Sequence, residues 1–131
     1  MKRAVVRGVT WVGSSRDEVR AFPQDARRAV GLALYQAQVG GKHPLVRPLK
    51  GFAGAGVLEV IQECAGGAFR CVYAVRFAEA VYVLHAFHKK SNRGIATPKH
   101  DLDMVRSRLT EAEQIHAGVC RPDGGANDGQ K

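Results

Sequence analysis

The sequence has little of what would place it among membrane, secreted or metal-dependent proteins. Its three cysteines, Cys64, Cys71 and Cys120, leave one over from any pairing and show no CxxC spacing. Neither a disulfide framework nor a zinc site is supported, and a reducing cytoplasm is the simplest compartment. No apolar run approaches the ~20 residues that a bilayer-spanning helix needs; the longest lies around Val81 to Phe87. A transmembrane protein is excluded and no membrane partner is expected. The basic N-terminus is followed by Arg7, Arg16 and Asp17, which interrupt any signal-like apolar stretch, so no export is read from it. Carboxylates number only 12 and form no cluster suited to a catalytic metal, so no metal and no cofactor are expected.

What remains is a basic, moderately apolar chain. Its 131 residues fit one domain, 45% are hydrophobic, and 20 Lys plus Arg against 12 Asp plus Glu give a formal charge of +8. Such a positive field favours polyanions: nucleic acid, the ribosome or an acidic protein. The bland alternative is charge that serves solubility alone.

Val5 to Val12 reads as a strand ended by Gly13-Ser14-Ser15, with Ser15 and Glu18 spaced as a capping box that starts a helix. Pro23 interrupts that helix, and Ala26, Val30, Ala33, Leu34 and Ala37 give a second one, from Gln24 to Val39, its apolar stripe. Gly40-Gly41 stops it, and Lys42 to Gly56 reads as a loop. Three strands follow, Val57 to Cys64, Ala68 to Phe77 and Ala80 to His88, joined by turns at Gly66-Gly67 and Ala78-Glu79 into an antiparallel meander. Thr97 as N-cap and Pro98 as first helical residue open a last helix, which buries Leu102, Val105, Leu109 and Ala112 and turns Arg106 and Arg108 outward. The expectation is an α+β domain over residues 1–117, ordered strand, helix, helix, three-stranded meander, helix, with helices packed on one sheet. Residues 118–131 read as a disordered tail.

The turn assignments place Glu63 opposite Arg70 and Val72 opposite His85. One face then holds Leu58, Val60, Cys64, Phe69, Cys71, Tyr73, Val75, Phe77, Tyr82, Leu84 and Ala86, for the two early helices to cover. The other mixes Glu59, Glu63, Arg70, Arg76 and His85 with Val57, Ile61, Val72, Val81, Val83 and Phe87, and runs on into Lys89-Lys90 at the sheet margin. This second face suits phosphodiester cleavage in RNA. Attack by the ribose 2'-OH needs a base, an acid and positive groups for the charge developing on the phosphoryl oxygens. Arg70 has the fork suited to phosphate, Lys89 and Lys90 supply further charge, and His85, if exposed, titrates in the useful range. Each has a structural reading too: Arg70 as a cross-strand ion pair with Glu63, His85 as a hydrogen-bonded histidine between sheet and last helix, Lys89-Lys90 as a solvated strand end. Glu59 orients or pairs with a basic residue. His88 alternates toward the core face. His43, Arg47 and Lys50 occupy a loop able to grip RNA.

Taken together, Gly40-Gly41-Lys42-His43-Pro44, Arg47-Pro48-Leu49-Lys50-Gly51-Phe52, the strand Phe69-Arg70 to Phe77, Leu84-His85-Ala86-Phe87-His88-Lys89-Lys90-Ser91 and the Thr97-Pro98 helix start resemble the phage-derived, HigB-like branch of the RelE/ParE toxin superfamily, over roughly Val9 to Ala112. The resemblance implies a toxin of a type II toxin-antitoxin system that cleaves mRNA on the ribosome without a metal. It also implies neutralisation by a cognate helix-turn-helix, HigA-like antitoxin, and contact with operator DNA only through that antitoxin. Arg70, His85, Lys89 and Lys90 are the catalytic candidates; Arg47, Lys50, Arg76 and His88 are those for RNA binding. One departure stands out: Glu59-Val60-Ile61 replaces a Glu-Leu-Arg common in such toxins, removing a basic residue. A gyrase-poisoning, ParE-like activity, or a non-catalytic binding module acting with the antitoxin, are the alternatives.

Overall fold

Pro23 does what its chemistry requires. A computed structural model of the chain, describing residues 6–52, 54–90 and 97–118, shows helix α1 (Ser15–Arg20) ending before this proline and α2 (Gln24–Gln38) beginning directly after it. Before them runs strand β1 (Gly8–Trp11); after them come β2 (Val46–Pro48), β3 (Val57–Cys64), β4 (Gly67–Ala74), β5 (Ala80–Lys89) and α3 (Lys99–His116). Among the described residues the fold is thus mixed α and β, with three helices and one five-stranded sheet in the order β1-β5-β4-β3-β2. The pairings are antiparallel except that β1 lies parallel to β5. The expected meander is β3-β4-β5. The expected loop is corrected: Val46–Pro48 forms an edge strand on β3, too short for a period-2 signal and stopped by a proline that an edge tolerates. The tail, except for Gly118, lies outside the described residues.

Two registers differ from expectation. The first hairpin turns at Ala65-Gly66, with Gly66 at φ 81°, so Cys64 pairs with Gly67 and Arg70 stands opposite Ile61 rather than Glu63. A slip of two residues leaves the faces unchanged. In the second hairpin Val72 does pair with His85, but a bulge follows: Tyr73 pairs with Val83 and Ala74 with Tyr82, leaving Leu84 as the extra residue. Past the bulge the alternation reverses. Val81 and Val83 therefore pack with Val19, Phe22, Val30, Leu34, Cys71 and Tyr73 beneath α1 and α2. Tyr82, Leu84 and Phe77, expected there, instead join Val57, Val72, Ala74, Val105, Leu109 and Ala112 beneath α3. Both faces of the sheet are thus packed, each buried large apolar side chain contributing roughly 1.5–3 kcal/mol. Cys71 lies deep in this packing, where burial pushes its thiol well above the ordinary range.

Two local readings are also corrected. The residue preceding α1 is Ser14, whose Oγ donates to the Glu18 carboxylate at 2.9 Å, while Ser15 is buried, so the expected Ser15 box does not form. Arg108, expected to point outward, is buried. Its place three residues after Val105 and four before Ala112 puts it on the inward stripe.

Candidate basic pocket and its supports

The sheet registers gather charge in one row. Arg47 on β2 pairs with Glu59 on β3, Glu59 with Val72 on β4, and Val72 with His85 on β5. Residues aligned this way share a face, here the one that α3 partly covers. Glu59 is only 2% exposed. A carboxylate taken that far from water needs compensation, and it has it: Arg70 Nη1 and Thr97 Oγ1 each donate to Oε2 at 3.1 Å, and Arg47 Nε stands 3.8 Å from Oε1. Arg70, 5% exposed, is as deeply placed. Glu59 is thus the partner the sequence left unspecified; Glu63, the expected partner of Arg70, is exposed and pairs with Ala68. Thr97 precedes the helix that it was expected to cap, with Pro98 at the N-cap position, and its hydroxyl serves Glu59 instead.

Arg47, Glu59 and Thr97 of this cluster line a pocket of about 420 Å³, with Arg70 behind Glu59. Strand β2 supplies Arg47 and Pro48, the loop leaving it supplies Leu49 and Lys50, β3 supplies Glu59, and the start of α3 supplies Leu102 beside Thr97. Arg47 and Lys50 are exposed, so two cations flank an opening whose wall holds a buried carboxylate.

A second charged cluster ties α1, β5 and α3 together beside it. His85 is buried with Nδ1 3.2 Å from Glu18 Oε1 and Nε2 2.7 Å from Asp101 Oδ1. The Arg108 guanidinium donates to both Glu18 oxygens at 3.0 and 3.1 Å, to the Leu84 carbonyl at 2.9 Å and to Ser14 Oγ at 2.9 Å. Glu18 Oε1 also accepts from the Ala86 N–H at 3.0 Å. Burial alone pushes the Glu18 carboxyl up, but the contacts from His85, Arg108 and the Ala86 N–H outweigh it and hold the group at about 2. A carboxyl depressed in the folded state contributes stability that is fully present above its unfolded value of 4.5 and is lost as pH falls toward about 2. An acid titration of the folded protein should therefore show stability falling by roughly 2–3 kcal/mol across that window from this group. Glu18→Gln should remove that component of the slope, as read by urea unfolding at pH 5, 4 and 3; an unchanged slope would rule the assignment out.

The remaining candidates divide. Lys89 pairs with Ala68 one pleat from Arg70 and shares its face, and Lys90 is exposed just past the strand end. Arg76 does not converge with them: it lies beyond the opposite end of β4, in an ion pair with Glu113 and over the Phe77 ring. His88 faces the other side of the sheet, stacked on Phe69 with ring centroids 4.2 Å apart and near Cys64 Sγ. The condition attached to His85 is not met, since the ring is buried and both nitrogens face carboxylates. Sequence reading missed Arg108 and Asp101 as its neighbours; the i+3/i+4 spacing of Arg108 with Val105 and Ala112 was the available signal for the first. Among the described residues no group of three or more His, Cys, Asp or Glu side chains is arranged to hold a metal ion, and no helix is long and apolar enough to cross a membrane.

A family model described as phage derived protein Gp49-like (DUF891) matches residues 17–110, a span that contains Glu18, Arg47, Glu59, Arg70, His85, Asp101 and Arg108. No curated protein matches the chain.

Proposed function

Since the chain belongs to the Gp49-like phage-derived family, a toxin-like family of RelE/HigB type, we propose that it is the toxin of a type II toxin-antitoxin pair, acting in the cytoplasm as a ribosome-dependent mRNA endoribonuclease. Its cognate partner in this reading is a HigA-like, helix-turn-helix antitoxin, through which alone it meets operator DNA. The observation that supports a nucleic-acid substrate is the pairing of exposed Arg47 and Lys50 at the mouth of a pocket, with buried Arg70 fixed behind them through Glu59.

In the proposed reaction the ribose 2'-OH attacks the adjacent phosphorus and displaces the 5'-oxygen, its proton passing to solvent water and the leaving oxygen taking a proton from water in return, while the chain positions the RNA and stabilises charge on the phosphoryl oxygens. Arg47 and Lys50 grip the RNA at the mouth of the pocket. Arg70 adds positive potential from beneath, and Lys89 and Lys90 supply it at the sheet margin. His85, held between Glu18 and Asp101, anchors the start of α3 and so keeps Thr97 and Leu102 in place. It acts as a positioning residue.

Induced without an antitoxin, the protein should arrest growth and leave new mRNA 5' ends within translated frames. Lys50→Ala alters an exposed side chain and should leave stability within about 0.5 kcal/mol of wild type, while Arg47→Ala, which also removes the guanidinium 3.8 Å from Glu59, should cost no more than about 1 kcal/mol. Each should lower the frequency of those ends about tenfold or more, the loss expected for one charge-assisted phosphate contact. Arrest with intact mRNA would overturn the nuclease reading, and loss of DNA supercoiling in its place would put the target at gyrase.

A further inference from the structure

The pocket beside Glu59 has a chemistry more selective than phosphate binding requires. A site built only for polyanions gains nothing from a buried carboxylate, which repels them. Glu59 is nevertheless 2% exposed and part of the wall, and its two oxygens are used unequally. Oε2 accepts both hydrogen bonds, from Arg70 and Thr97. Oε1 has the Arg47 Nε at 3.8 Å, beyond hydrogen-bond length, and among the described residues it accepts no hydrogen bond. It therefore has acceptor capacity with a cation directly alongside. The neighbouring walls are Pro48, Leu49 and Leu102, apolar surfaces able to sandwich a flat ring, and a volume of about 420 Å³ lies within the range of small-molecule sites.

We infer that this pocket receives a single unstacked guanine base, with Glu59 as its specificity-determining residue. The Watson–Crick edge of guanine carries two adjacent donors, N1–H and the 2-amino group, followed by the O6 acceptor. Two donors match an acceptor-only carboxylate oxygen, and O6 falls toward Arg47 or Lys50, leaving the other cation for the nucleotide's phosphate. The other bases fit worse. Adenine and cytosine each set a ring-nitrogen acceptor beside their one amino group, and uracil flanks its single N–H with two carbonyls, so each turns a lone pair toward the carboxylate. Exposed single-stranded bases are read in this way, by edge hydrogen bonds and ring packing. The assignment rests on the RNA-directed reading above for the origin of the base, and on the pocket alone for the choice of base.

The test uses the full chain and the four nucleoside monophosphates at low salt, with dissociation constants from calorimetry or NMR titration. GMP should bind at least tenfold more tightly than AMP, CMP or UMP. Glu59→Gln, which puts an amide in place of the carboxylate, should bring that ratio below about threefold. Because Glu59 also holds Arg70, a second variant guards against misfolding: Leu102→Trp, at a partly buried position that lines the pocket, should fill it and weaken GMP at least tenfold while leaving the thermal midpoint near wild type. Equal binding of the four nucleotides, or GMP binding indifferent to Leu102→Trp, overturns the guanine assignment whether or not the protein cuts mRNA. Selective GMP binding by a protein that leaves mRNA intact sustains the pocket and overturns the nuclease.

Discussion

Arg70→Ala should destabilise the protein by about 3–5 kcal/mol, measured by urea or thermal unfolding near neutral pH. The reason is what the substitution leaves behind. Glu59 and Arg70 are both withdrawn from water and joined at 3.1 Å, so removing the guanidinium strands a carboxylate that, among the described residues, keeps the Thr97 hydroxyl and an Arg47 guanidinium at 3.8 Å. Such a pair is costly to break and of small net worth to keep, because each ion loses its hydration on burial. The double variant Glu59→Leu/Arg70→Met should accordingly recover most of the loss, since apolar chains of similar reach restore the packing without stranding a charge. A single variant within about 1 kcal/mol of wild type would show that the pair is solvated and would sink this account. The same cost makes Arg70→Ala a poor probe of chemistry, because lost toxicity would follow from unfolding alone; the exposed Arg47 and Lys50 avoid that ambiguity.

A loss of similar size is expected for Arg108→Ala, and it is diagnostic through pH. The guanidinium bridges three segments: it donates to Glu18 on α1, to the Leu84 carbonyl on β5 and to Ser14 Oγ before α1, all from α3. Its removal leaves a buried carbonyl and a half-buried carboxylate short of partners, a cost of about 3–5 kcal/mol, or a fall in thermal midpoint on the order of 10 °C. Arg108→Lys keeps the charge but not the planar fork, and should restore only part of it. The acid behaviour should change as well. Without Arg108 the Glu18 carboxyl rises from about 2 toward its ordinary value of 4.5, so less stability is lost between those limits and the acid limb flattens. A wild-type acid slope in Arg108→Ala would mean that other groups hold the Glu18 carboxylate down.

Much of this architecture was legible in the sequence because its causes are local. Pro23 ends one helix and sets the next; Ala26, Val30, Ala33, Leu34 and Ala37 recur at helical spacing; alternation over Val57–Cys64 and glycine at the turn give strands and hairpin. The placement of Arg70 on the α3-covered face survived an error of two residues in the turn, because a strand's side chains repeat every second residue. The bulge at Leu84 did not leave such a trace. It reverses alternation within one strand, and a period of two carried straight through it puts Val81, Val83, Tyr82 and Leu84 each on the wrong side.

The candidate site was legible as a list of residue types and not as an arrangement. Composition and local pattern by themselves fixed the positive charge, the order of the elements other than β2, the basic character of the segment holding Arg47 and Lys50, and the place of Arg70 and Lys89 at one sheet face and its margin. Only the tertiary structure decided their roles. It set Glu59 rather than Glu63 behind Arg70, enclosed His85 between Glu18 and Asp101, carried Arg76 to the far end, and turned Arg108 inward to a carboxylate 90 residues away. The physical reason is that a charged side chain goes inward only where a partner offsets its lost hydration, and here those partners come from distant segments that the chain brings together only on folding.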